Sequence, residues 1–115
     1  KEFNEDFDKD ILKQVSFKKI AIVSLQENSA RSASLEIKER TGADVIIINK
    51  NAAGDLTESA KSADVILYVW ASAKHSIYRA FDNNRELLQY VQGTGSASIL
   101  RALESWVVKK IEIND

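Results

Sequence analysis

The chain contains no cysteine and a single histidine among its 115 residues. Disulfides, thiol nucleophiles and thiolate metal sites are therefore excluded, and so is any zinc centre built on two histidines. It also lacks an excess of charge of either sign: 16 Lys+Arg stand against 17 Asp+Glu, for a formal charge of -1. A dedicated duplex-binding domain would carry a basic footprint, so nucleic acid is disfavoured as a partner. No run approaches the 18 or more apolar residues of a membrane span, so no membrane is expected as a partner. The start, Lys1-Glu2-Phe3-Asn4, has neither the apolar stretch of a signal peptide nor an initiator methionine. The sequence reads as a piece of a longer cytoplasmic polypeptide, whose remainder would be its first partner.

What is present is an ordinary water-soluble composition, 44% hydrophobic and 29% charged with a mean hydropathy of -0.25. The length allows one domain. Surface scaling for this mass implies that roughly two thirds of the unfolded surface is buried, enough for one core.

All four glycines, Gly42, Gly54, Gly93 and Gly95, fall between periodic segments. Gly42 follows a pattern over residues 30–40 with Ala30, Ala33, Ser34 and Ile37 at i, i+3, i+4 and i+7. This predicts an amphipathic helix closed by Gly42 and capped by Asn28 or Ser29. On either side of it lie Lys19-Ile20-Ala21-Ile22-Val23-Ser24-Leu25 and Asp44-Val45-Ile46-Ile47-Ile48-Asn49, apolar and β-branched rather than alternating. Strands covered on both faces have this composition. Two further runs, 64–70 and 87–91, are each followed by a small-residue loop and a helical pattern. A short helix is expected near 56–62, a third helix over about 73–82 and a fourth on Ile99, Leu103, Trp106 and Val107.

The order β-α-β-α-β-α-β-α implies an α/β fold. We expect a flavodoxin- or Rossmann-like three-layer sandwich with a parallel sheet of about four strands, in the order 2-1-3-4, and right-handed crossovers. Ahead of the domain (residues 19–115), residues 1–18 place Phe3, Phe7, Ile11 and Val15 four apart. They read as an amphipathic helix, either packed on the domain or continuing into a preceding region. Residues 107–113 either finish the last helix or form an edge strand.

Ligands of open parallel sheets bind outside the carboxyl ends of the strands, where the strand order reverses. That rule selects the loops after strands 1, 3 and 4. The first offers Gln26, Asn28 and Ser29. The third, Trp70-Ala71-Ser72-Ala73-Lys74-His75-Ser76, gathers an indole, a cation, the lone imidazole and two hydroxyls. Ser72, Lys74 and His75 are its candidate contacts, although a lone histidine is more often structural, and Trp70 more often covers a sheet end than stacks on a base. The fourth, Gln92-Gly93-Thr94-Gly95-Ser96-Ala97-Ser98, combines two glycines and three hydroxyls at a helix start. Such a turn suits a phosphate or carboxylate. The plain alternative is that the glycines only make the turn and Ser96 or Ser98 caps the helix. The spacing is neither the dinucleotide fingerprint nor a P-loop, so no named cofactor is implied beyond a phosphate-containing or other anionic ligand.

Three functions compete on these residues. The first is a non-enzymatic ligand-sensing or regulatory module that binds an anionic, nucleotide-like molecule through Gln26, Asn28, Ser29, Ser72, Lys74, His75, Gly93, Thr94, Gly95 and Ser96. The second is an interaction or homodimerisation domain using the Phe3-Phe7-Ile11-Val15 stripe or residues 107–113. The third is a small enzyme with His75 as general acid or base, which lacks an evident orienting acid.

Beyond these readings, Ser62-Ala63-Asp64-Val65-Ile66, Lys74-His75-Ser76-Ile77-Tyr78-Arg79-Ala80 and the stretch from Gln89 through the glycine turn to Arg101-Ala102-Leu103 resemble the small bacterial domain of unknown function DUF2325. The resemblance covers roughly residues 19 to 105. In that family a serine-histidine pair opens a helix; His75 matches the histidine, Lys74 stands in place of the serine, and the family's cysteines are absent. The resemblance implies a compact α/β fold, placed at the C-terminal end of a longer protein.

Overall fold

The computed structural model describes residues 11–14, 16–49, 55–70, 79 and 81–114, with the backbone alone at 14, 55–57, 113 and 114. Four strands, β1 (Lys19–Val23), β2 (Asp44–Ile48), β3 (Val65–Val69) and β4 (Leu88–Val91), form one sheet in the order β2-β1-β3-β4. Every pairing is parallel, with Ile20 opposite both Val45 and Val65, and Tyr68 opposite Tyr90. The expected order and strand direction are thus those of the protein. β1 and β3 are central, which is why Ile20 to Val23 and all five residues of β3 are buried.

Period-2 alternation divides the strands between two cores. Ile20, Ile22, Val65, Leu67, Val69 and Val91 face α1 (Glu27–Thr41) and α3 (Ser96–Asn114), where they meet Ala30, Ala33, Ile37, Ile99, Leu103 and Val107. Ala21, Val23, Ile48, Ile66 and Tyr68 face the other way, onto Ala60 at the end of α2 (Asp55–Ala60), Ala63 and Phe81. Apolar layers on both faces are what the continuous rather than alternating strands demand. A 3-10 segment, Asp82–Leu87, leads directly into β4.

Helix α1 buries Ala30, Ala33, Ser34 and Ile37, the four positions its periodicity selects. It ends as expected at Gly42, whose φ of 73° lets its N–H reach the Lys38 carbonyl at 2.9 Å. Its start differs from expectation. The helix begins at Glu27, and the residue in the cap position is Gln26, which makes no side-chain cap bond. Asn28 and Ser29 therefore lie inside the first turn. The hydroxyl that orders this entry is that of buried Ser24, which accepts the Gln26 N–H at 3.0 Å while the Ser24 N–H extends the ladder to the Ile48 carbonyl at 3.0 Å.

At the N-terminal side, Ile11–Gln14 forms a 3-10 turn rather than part of an α-helix, and residues 1–10 and 15 of the expected stripe lie outside the described residues. The tighter winding changes which side chain faces inward. Leu12, outside the every-fourth-residue stripe, is fully buried in the core under α1 and α3, and Ile11 packs at its edge. Of the two readings of residues 107–113, the helix is the one present: α3 runs on to Asn114. Val107 and Ile111 pack on the core, and Val108 is exposed. The expected third helix lies outside the described residues except for Arg79 and the stretch from Phe81 onward.

Candidate functional site

The strand order sets the geometry of the carboxyl edge. Because β3 lies between β1 and β4, with Val23 opposite Tyr68 and Val69 opposite Val91, the ends of these three strands lie side by side. From β1 come Ser24, buried, then Gln26 and Asn28, both exposed, and Ser29, partly buried. From β4 comes the turn at residues 92–95, with Gln92, Gly93 and Gly95 exposed and Thr94 partly buried, leading to Ser96 at the head of α3. The segment after β3 is described only at Trp70; Ser72, Lys74 and His75 lie outside the described residues.

The two glycines of the turn are not equivalent. Gly93 has a φ of 98°, and a Cβ there would stand 2.5 Å from Ser98 Oγ. A side chain at Gly93 would therefore have to displace the Ser98 hydroxyl in the first turn of α3, besides holding a positive φ. Gly95 has no positive φ and open space where a Cβ would sit. It occupies the cap position, its carbonyl accepting the Ile99 N–H at 3.2 Å. The first-turn N–H groups of α3 have no acceptor within the helix, and the helix dipole places partial positive charge at that end.

Around the end of β3, three aromatic rings meet. Tyr68 is buried, and its ring centroid lies 5.8 Å from that of Trp70 and 6.2 Å from that of Tyr90. Trp70 and Tyr90 contact each other edge to face at 6.1 Å and are about half exposed, at 48% and 47%. Trp70 therefore covers the end of β3 only in part and leaves indole surface open. Tyr90 was not singled out from the sequence; its place in an apolar strand gives no sign that the strand is at the sheet edge and leaves the ring half in solvent.

The opposite edge is structural. Asp64, at the start of β3, accepts the backbone N–H groups of Lys18 at 2.7 Å and Lys19 at 3.2 Å, and its own N–H donates to the Lys19 carbonyl at 2.9 Å. The Lys19 ammonium donates to Ser59 Oγ at 3.0 Å and Ser62 Oγ at 2.9 Å. Acids and cations at this edge are used to join β1, β3 and the end of α2. Among the described residues, no group of His, Cys, Asp and Glu is arranged to hold a metal ion, and no helix is long and apolar enough to cross a membrane.

A four-stranded, all-parallel sheet with helical or apolar cover on both faces and its strand order reversing between β1 and β3 defines a doubly wound α/β domain. The chain belongs to the family described as DpdD-like, whose model matches residues 2–102. This match overturns the resemblance to DUF2325. The segments that carried that resemblance are a strand start, a helix entry and a glycine-hydroxyl turn, which parallel α/β sheets require wherever strands pass into helices. No curated protein and no solved structure matches the chain.

Proposed function

We propose that the domain is a non-enzymatic ligand-binding module of a larger cytoplasmic protein, taking an anionic, nucleotide-like ligand at the carboxyl edge of its sheet. The observation that carries this reading is that one end of the sheet presents two unlike surfaces. The half-exposed Trp70 and Tyr90 rings stand at the end of β3 and on β4, and the glycine turn that opens the 19-residue helix α3 follows β4. A planar base stacks on the first, and a phosphate suits the N–H groups at the second. Gln26, Asn28 and Ser29, after β1, are proposed as polar contacts, and Ser72, Lys74 and His75, outside the described residues, complete the proposed set by their place in the sequence after β3.

Isothermal titration of the protein against adenine and guanine nucleotides and inorganic phosphate tests this reading. Gly95→Val adds a branched side chain where space is open, so the fold is retained while approach to the helix N-terminus is blocked, and binding should be abolished. Lys74→Ala should weaken binding by about 1–3 kcal/mol, the worth of a hydrogen bond to a charged group. Asp44→Asn, at the opposite edge, should leave affinity unchanged. Silence across the panel, or binding that survives Gly95→Val, contradicts the reading.

A further inference from the structure

We propose that the open edge of β4 and the adjoining flank of α3 form a docking groove for an extended acidic peptide, which adds to the sheet as a fifth strand beside β4. The inference does not rest on the anion site at the glycine turn.

The order β2-β1-β3-β4 leaves β4 paired on one side only among the described residues, so its outer N–H and C=O groups offer a template for another strand. Sheet edges are commonly protected by lysine, proline or a bulge. β4, Leu88-Gln89-Tyr90-Val91, carries neither residue and pairs with β3 in unbroken register. Beside it runs a groove of about 340 Å³ whose walls include Gln89, Gln92, Ser98, Arg101 and Ser105. Arg101 and Ser105 also line a second depression of about 450 Å³, which continues along α3 to Val108 and Lys109. Together they make one trough with a strand edge on one wall and a helix on the other.

Charge selects the occupant. Arg101 and Lys109 make no ion pair among the described residues; Arg101 donates only to Ser98 Oγ, at 3.4 Å. Glu104, the one acid lining the trough, is held from the far side by Arg40 at 3.2 Å. Two cations about two helical turns apart match the acidic face of a strand that alternates acidic and aliphatic residues, the aliphatic face then lying on the side of the sheet away from α3. A second copy of the chain fits poorly. Antiparallel pairing of α3 with α3 about Ser105 would set Arg101 of one copy against Lys109 of the other, and like charges so placed repel.

The test uses an acetylated eight-residue peptide alternating glutamate and valine, its glutamine-valine and lysine-valine counterparts, and a thymidine oligonucleotide, with binding read by fluorescence anisotropy. The acidic peptide should bind at least about tenfold more tightly than the neutral one. The lysine peptide should not bind. The double variant Arg101→Glu, Lys109→Glu should lose the binding of the acidic peptide with its circular dichroism unchanged, since both side chains are exposed. Any binding of the oligonucleotide, at the glycine turn, should survive the double variant. Amide exchange at whichever of Gln89 and Tyr90 has its N–H turned away from β3 should slow when the acidic peptide is bound to the wild type. Equal binding of acidic and neutral peptides, peptide binding retained by the double variant, or competition of the oligonucleotide for the peptide's site would overturn the proposal. So would a concentration-dependent dimer in sedimentation that the double variant abolishes.

Discussion

The backbone of Gly93 passes so close to Ser98 that a Cβ on the glycine would lie 2.5 Å from the serine Oγ. Gly93→Ala must both hold a φ of 98° and displace Ser98. We expect it to cost about 1–3 kcal/mol, summing left-handed strain and overpacking. Gly95→Ser, in the cap position, should be neutral or stabilising by a few tenths of a kcal/mol. Urea midpoints of the two variants check the pair, and equal midpoints would contradict the geometry.

Leu12 ties the N-terminal turn to the domain. It is fully buried among the side chains of α1 and α3. Leu12→Ala should lower stability by about 2–5 kcal/mol, the range for truncating a buried leucine. Ile11→Ala should cost less, because Ile11 is only partly buried. Chemical denaturation of both variants gives the ordering directly.

Asp64 is the main junction at the amino edge, with one carboxylate oxygen accepting two backbone N–H groups. Asp64→Ala leaves those donors without their acceptor and should cost about 1–3 kcal/mol. Asp64→Asn retains an acceptor oxygen and should cost less. Neither should alter the affinity for an anion at the carboxyl edge beyond what partial unfolding explains, which a titration well below the melting temperature separates.

The strands and their order were readable because β-branched apolar runs such as Val45-Ile46-Ile47-Ile48 suit the strands of a parallel sheet covered on both faces, and alternation with helices leaves few ways to connect them. The inward face of α1 and its closure at Gly42 were readable for the same kind of reason, a period and a backbone conformation tied to residue type. The start of α1 was not. Asn28 and Ser29 carry the usual capping side chains, yet the chain turns two residues earlier, where the hydroxyl of Ser24 organises the entry from the end of β1. Leu12 escaped because a 3-10 turn has a different period from the α-helix assumed for the stripe. At the candidate site, the loops after β1 and β4 follow from the switch-point rule. The exposure of Tyr90 and Arg101 does not, because a strand or helix pattern says which side faces the core and says nothing of what lies beyond the last strand.

If stacking contributes to ligand binding, Trp70→Ala and Tyr90→Ala should each weaken it by about 1–3 kcal/mol, the worth of an aromatic-base stack. Tyr68 lies beneath both rings and is buried, so Tyr68→Ala should instead lower stability. Nucleotide titrations and melting curves on the three variants separate contact from support.

The central claim, an anion site at the carboxyl edge, is tested most directly by amide chemical-shift mapping during titration with a nucleoside triphosphate. The account predicts that the largest changes fall on Gly93, Thr94, Gly95 and Ser96 and on the Trp70 indole N–H, with Asp44, Asp64 and their neighbours unmoved. Changes centred on Asp44 and Asp64, or none at millimolar nucleotide, would contradict it.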